Sequence, residues 1–224
     1  MRPAPDGGRS EDSAAARRAR EEEEAVLQRK HEEEAREKLY GLLKDESSPA
    51  NPKVVRMMLG RDFAEQYRIV DLQGDYVHVQ TSSGIVRVHL RHGSNELYEN
   101  LEFATDRHSR HGYEIDLCEK FEDGKGADSF NRTLQRFEEY KRNKQGTLNS
   151  FDMNIKDAAK QADVIVLEVP DNISFDTLSK AIRNRSRRAQ NIQDIIILWS
   201  EKEATYNRSK FRKDDFKIQP DDFK

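Results

Sequence analysis

Two short runs constrain the fold more than anything else in this chain: Val164-Ile-Val-Leu-Glu-Val169 and Asp194-Ile-Ile-Ile-Leu-Trp199. Each has the length of a strand and is apolar at nearly every position. Alternation would let one face meet water, and these runs do not alternate, so both faces need cover. The neighbouring patterns can supply it. Asn149 or Ser150 opens a helix to Gln161 with Ile155, Ala158 and Ala159 inward, and a second helix runs from Ser174 to about Arg188. Strands joined through such helices are expected to use right-handed crossovers.

Upstream, the sequence predicts a helix from Ser94 or Asn95 to about Arg107, with Leu97, Leu101 and Ala104 as its inward stripe. Gly112 then ends the connection and Tyr113–Cys118 alternates as a strand. The main domain therefore spans about 92–200. Residues 50–91 read as a smaller unit: a helix over about 52–66, opened by Asn51-Pro52, then strands over Tyr67–Leu72, Tyr76–Thr81 and Ile85–Leu90. In that meander His78 and His89 are expected as cross-strand neighbours. Residues 1–49 form an arm, proline- and glycine-rich to about residue 12, then Ala/Glu/Arg/Lys-rich over 13–44 as one long solvated helix. Acid blocks Glu21–Glu24 and Glu32–Glu34 lie in it, and its expected use is as a tether to a larger assembly or as a delivery segment. Residues 201–224 read as a polar tail that repeats Asp-Asp-Phe-Lys. The fold class is α/β (α+β): a mixed sheet flanked by helices, preceded by a small β-meander and a long charged N-terminal helix.

Charged residues make up 36% of the chain against 35% hydrophobic, too polar a balance for a chain packed throughout. Net charge is −3, so charge alone announces no polyanion partner. Cys118 is the single cysteine, which excludes an internal disulfide and a cysteine-rich zinc site. No apolar run reaches the length of a membrane span.

Chemistry concentrates in Ala127-Asp128 and Glu139-Tyr140-Lys141. If Arg136–Lys141 is a strand, Glu139 and Lys141 share a face, and Asp128 at the start of the neighbouring strand joins them. Two carboxylates and a lysine on one face suit a divalent cation and a water set beside a phosphodiester. A third acid is sought on the preceding helix, where Glu96, Glu99 and Glu102 recur every three residues. Glu102, beside the inward Leu101, comes first and Glu99 second. Lys180, Arg183, Arg185, Arg187 and Arg188 form the densest basic cluster, with Arg183 and Arg187 on one helix face suited to successive phosphates. No aromatic platform for unpaired bases stands out, which favours a structured substrate read by shape. His108 and His111 offer a competing, metal-independent chemistry but are assigned no role, and Gly124-Lys-Gly126 lacks the setting of a phosphate loop.

Ser94-Asn-Glu-Leu, Gly112-Tyr-Glu-Ile-Asp-Leu, Asp128, Glu139-Tyr-Lys141, Ala158-Ala-Lys-Gln161-Ala-Asp-Val-Ile-Val-Leu and Ile182-Arg-Asn-Arg-Ser-Arg-Arg188 with Asn191-Ile-Gln-Asp-Ile-Ile-Ile197 come in a definite order. Over about 94–199 they resemble the C-terminal tRNase domains of contact-dependent growth-inhibition toxins. Related domains end phage minor head proteins and other polymorphic toxins. The resemblance implies a PD-(D/E)xK-type nuclease with Asp128 as the motif aspartate, Glu139 as its acid, Lys141 as its lysine, and Glu102 or Glu99 as the helix glutamate. It further implies a divalent metal (Mg²⁺, Mn²⁺ or Zn²⁺) on Asp128, Glu139 and Glu102, and Lys160 and Gln161 near the substrate. Partners implied are tRNA or another structured nucleic acid and an immunity protein. Action in the cytoplasm would follow delivery by a toxin system or phage particle. Ala127 stands where such domains often carry proline, and the hairpin loop Asn131–Gln135 lacks their usual glycine. A DNA endonuclease, or a non-catalytic assembly protein of a phage or conjugative element, are the alternatives.

Overall fold

The two apolar runs lie side by side in parallel, Val164 opposite Asp194 and Val169 opposite Trp199, and the rest of the sheet extends from them. In a computed structural model of the chain, the described residues are 30, 58–60, 63, 66–93, 96–120 and 126–224. The charged arm (apart from Lys30), Ser94 and Asn95, and the Gly124-Lys125 pair lie outside the described residues. In chain order the strands are β1 (Arg68–Gln73), β2 (Tyr76–Gln80), β3 (Ile85–His89), β4 (Ile115–Leu117), β5 (Ser129–Asn131), β6 (Arg136–Arg142), β7 (Val164–Val169), β8 (Asp194–Trp199) and β9 (Lys202–Asn207). Three helices connect them: α1 (Leu97–His111), α2 (Leu148–Ala158) and α3 (Phe175–Ser186). All nine strands form one mixed sheet in sequential order. The pairs β3–β4, β6–β7 and β7–β8 are parallel, and α1, α2 and α3 make those three crossovers. Among the described residues no helix is long and apolar enough to cross a membrane.

Alternation on β7 explains why both faces are apolar. Val164 and Val166 join a core with Leu97, Leu101, Phe103 and Ala104 of α1 and with Val77, Val79, Val86 and Val88 of the meander. Ile165, Leu167 and Val169 join the opposite core with Phe151 and Ile155 of α2 and Leu178 and Ile182 of α3. Each such side chain, fully buried, contributes about 1.5–3 kcal/mol. Local signals set the helix ends. The hydroxyls of Thr147 and Ser174 accept from Ser150 N and Thr177 N at 3.2 and 3.3 Å. Gly112, at φ 67°, supplies the left-handed residue that stops α1.

Three expectations need correction. Residues 201–224 are no polar tail: β9 pairs antiparallel with β8, and Phe211, Phe216, Ile218 and Phe223 are buried in the α2–α3 core. The meander is continuous with the main sheet, because β3 pairs with β4 through Arg87–Asp116 and Val88–Leu117. His78 faces Arg87 and His89 faces Tyr76, so the two histidines are not cross-strand neighbours. The hairpin is closed by a bond from Thr81 N to Gly84 O, which centres the turn one residue earlier than assumed.

Candidate active site

The β5–β6 hairpin brings Asp128 and Glu139 together as the acid spacing anticipates. Ser129 pairs with Glu138, so Asp128, one residue before β5, falls opposite Glu139. Asp128 N donates to Glu139 Oε2 at 3.2 Å and Tyr140 N donates to Asp128 Oδ2 at 2.7 Å. Both carboxylates are almost wholly buried. The loop before β6 turns without glycine because Gln135 itself takes φ 51°, while Asn131 Oδ1 accepts from Leu134 N at 3.0 Å.

Two lysines face the pair. Lys141 Nζ lies 2.7 Å from Glu139 Oε1 in an ion pair, as period-two alternation requires. Lys120, which the sequence reading did not single out, ion-pairs with Asp128 Oδ1. Its ammonium also reaches Gly126 O at 3.3 Å and Glu96 Oε2 at 3.6 Å. Asn100 of α1 donates to Asp128 Oδ1 at 3.0 Å and stands 3.1 Å from His92 Nε2. His92 Nδ1 lies 2.6 Å from the carbonyl of Cys118, so Nδ1 carries the proton and Nε2 accepts from Asn100. Burial lowers the His92 pKa, which agrees with a neutral ring.

The electrostatics follow from packing two acids into one dry site. Burial and then Asp128 push the Glu139 carboxyl up to about 7, against the pull of Lys141 and Lys120. Burial works against the charge on both lysines. For Lys120 the larger opposing influence is Asp128 and for Lys141 it is Glu139, and both pKa values end raised. Cys118 is held inert, its thiol pushed up to about 12 by burial.

Glu102 does not join this cluster. Its side chain is 62% exposed and pairs with Arg142 at 3.0 Å; Glu99 lies 3.9 Å from the same guanidinium. Glu102 directly follows an inward leucine, but one residue on a helix turns the side chain to solvent. The polar α1 residues that do turn inward are Asn100 and Arg107. They sit at core-periodic positions, and a polar residue in such a stripe is the signal that could have marked them. The third acid near the site is Glu96, the first of the three glutamates. Among the described residues no bond joins Lys160 or Gln161 to the carboxylates: Lys160 pairs with Asp157 at 2.7 Å, and Gln161 Oε1 is buried without a partner. Arg183 donates to Asp214 O at 2.7 Å and Arg187 ion-pairs with the Asp214 carboxylate, so both tie the C-terminal segment to α3. His111 lies 3.0 Å from Glu203 and His108 Nδ1 lies 2.8 Å from Tyr113 O; neither joins the carboxylates.

The other face of β6 carries a second buried polar cluster. Glu138 accepts from Arg136 at 3.0 Å and Asn131 at 3.2 Å, and Arg107 lies 3.6 Å from it. Arg107 also donates to Glu203 of β9 at 2.6 Å. Aromatic rings, which the sequence did not reveal as a platform, are present as well. Phe137 is 55% exposed and its ring centroid is 4.9 Å from that of Phe130.

No protein-family model matches the chain, and no curated protein matches its sequence. A solved structure of a CdiA-CT/CdiI toxin and immunity complex from Burkholderia pseudomallei is similar over 50% of this chain and 84% of its own, with a TM-score of 0.39 and 15% identity. A likeness this distant carries no inference about fold or activity.

Proposed function

We propose that the chain is a divalent-metal-dependent nuclease acting on RNA, with tRNA the first substrate to test, and that it serves as a toxin domain of a secretion or mobile-element system. One observation carries the chemistry: Asp128, Glu139, Lys120 and Lys141 converge in a single buried cluster. The tRNA substrate, the toxin setting and an immunity protein as partner rest on the motif order of residues 94–199.

Asp128 and Glu139 are the residues that would hold the cation. Their oxygens suit Mg²⁺ or Mn²⁺, which need only one or two carboxylates beside water and phosphate oxygens. Glu139 Oε1, buried and held by Lys141 alone, is an acceptor of that kind. Glu102, 62% exposed and ion-paired with Arg142, lies outside this pair. When bound, the cation supplies Lewis-acid stabilisation of the phosphate. The chain's own groups do the rest. Glu139 would accept the proton of the attacking water as the water oxygen bonds to phosphorus and the bond from phosphorus to a ribose oxygen breaks, the leaving oxygen taking its proton from solvent. Lys141 and Lys120 set fixed positive charge beside the phosphorane oxygens. Asn100 and Tyr140 N hold Asp128 so that its carboxylate needs no reorganisation.

The experiment is incubation of the purified chain with total tRNA and with duplex DNA, in Mg²⁺ and in EDTA. Cleavage of tRNA in Mg²⁺ alone is the expected result. Cleavage of neither polymer, or equal cleavage in EDTA, overturns the reading.

A further inference from the structure

The sheet face that carries Glu139 also carries a built polar cavity that the carboxylate chemistry does not use. Residues directly opposite each other across a sheet share a face. The pairings His78–Arg87, Arg87–Asp116, Asp116–Phe130 and Phe130–Phe137 therefore form one continuous row over β2 to β6. Phe137 and Glu139 are two apart on β6 and share its face, roughly 6.6 Å apart along the strand. The row thus runs one pleat away from the acid pair.

At its far end lies a cavity of about 320 Å³ lined by His78, Arg87, His108, Glu114, Asp116 and Arg132, among others. Its polar groups are not satisfied internally. Asp116 is only 7% exposed, and its Oδ1 has no hydrogen bond although Arg87 Nε and Arg132 Nε lie 3.5 and 3.6 Å away. Both Nε atoms are held to Asp116 by ion pairing without a hydrogen bond, and His78 Nε2 is buried without one. Buried polar atoms are rarely left so, and four around one cavity call for an occupant. The site is also fixed in place. The Arg87 guanidinium lies over the Tyr76 ring, 4.7 Å from its centroid. The His108 ring occupies the space where a Cβ on residue 84 would sit, so only Gly84 lets it close the cavity wall.

Charge decides the kind of occupant. Two guanidiniums face two carboxylates, since Arg132 also ion-pairs with Glu114. A bare phosphate gains little net attraction from such a balance. A planar group with donors on one edge and acceptors on another uses both signs. Guanine has that pattern: adjacent N–H donors for a carboxylate, and O6 and N7 as a paired acceptor for a guanidinium. Phe137, exposed and backed by Phe130, adds a face on which a base can stack.

Resting on the nuclease reading above, we infer that this face binds an unpaired guanine nucleotide of the substrate beside the scissile phosphate. Asp116 and Arg87 read the base edge, and Phe137 stacks a neighbouring base.

Calorimetric titration of the full chain with 5′-GMP, 5′-AMP and inorganic phosphate tests this without cleavage. GMP should bind roughly tenfold more tightly than AMP, as one good bidentate contact provides, and phosphate more weakly than either. Asp116→Asn should erase the preference. Arg87→Lys, which keeps the charge and loses the fork, should erase most of it. Both variants are checked for native circular dichroism, and either one folded suffices. Phe137→Ala should weaken binding of GpG or ApG dinucleotides roughly tenfold. Equal affinity for the three probes, or a preference that survives both edge variants, overturns the inference. If RNA is cleaved but GMP is not preferred, the base site alone fails. If GMP is preferred but nothing is cleaved, the nuclease reading alone fails.

Discussion

Replacing Glu139 by glutamine should make the protein more stable at pH 8. Glutamine keeps the shape of the side chain and removes the charge that the site resists. The magnitude follows from the carboxyl, which rises from 4.5 to about 7 on folding. At about 1.4 kcal/mol per pKa unit, that difference corresponds to roughly 3 kcal/mol. Below about pH 4.5 folded and unfolded chains both hold the proton, and ionisation of Glu139 destabilises nothing. Between that pH and about 7 the unfolded chain releases its proton first, so stability falls; above 7 the whole penalty is present. The variant should therefore match the wild type at pH 4.5 and exceed it by roughly 3 kcal/mol at pH 8. That corresponds to a melting temperature higher by on the order of 5–10 °C for a unit of this size. Thermal denaturation of both proteins in EDTA at pH 4.5, 6 and 8 reads this out. A variant less stable than the wild type at pH 8 would refute the reasoning, because it would mean that the ion pair with Lys141 outweighs burial and the neighbouring Asp128.

Lys120→Ala should reduce cleavage on the order of a hundredfold by removing fixed charge beside the phosphate, whereas Glu102→Ala, on an exposed ion pair, should leave rate and stability within about 0.5 kcal/mol of wild type; parallel cleavage assays and urea melts compare them. Arg107→Met should destabilise by roughly 3–5 kcal/mol in urea denaturation, because Glu138 then keeps a buried charge without its partner on α1. Phe211→Ala should cost about 3–5 kcal/mol in the same measurement, since the ring is fully buried; a loss under 1 kcal/mol would return the C-terminal segment to a mere tail.

The parts of the fold legible in the sequence were those governed by local period. β7 and β8 keep the bounds of their apolar runs because every position was constrained from both sides. Glu139 and Lys141 share a site because alternation on one strand demanded it. What stayed hidden depended on contacts between distant segments. Lys120 sits outside any periodic pattern, and its meeting with Asp128 follows from the antiparallel pairing of β4 with β5. β9 is an edge strand of only six residues with Ala204 and Tyr206 inward between polar neighbours, so its period was diluted. Phe211, Phe216, Ile218 and Phe223 are spaced too irregularly for any helix or strand template, yet all reach the same core. Glu102 was misplaced by a single residue of helical rotation, about the limit of what a short apolar stripe can define. The basic cluster on α3 looked like a phosphate binder because Asp214 lies 27 residues beyond Arg187. The Phe130–Phe137 platform was invisible because neither ring departs from ordinary strand composition.

Cleavage of tRNA in Mg²⁺ by the wild type and by Glu139→Gln, at pH 8 and with both shown to be folded, tests the central claim most directly. The wild type should cut, and the variant, more stable than its parent, should be without activity. Undiminished cleavage by folded Glu139→Gln would contradict the assignment of the active site.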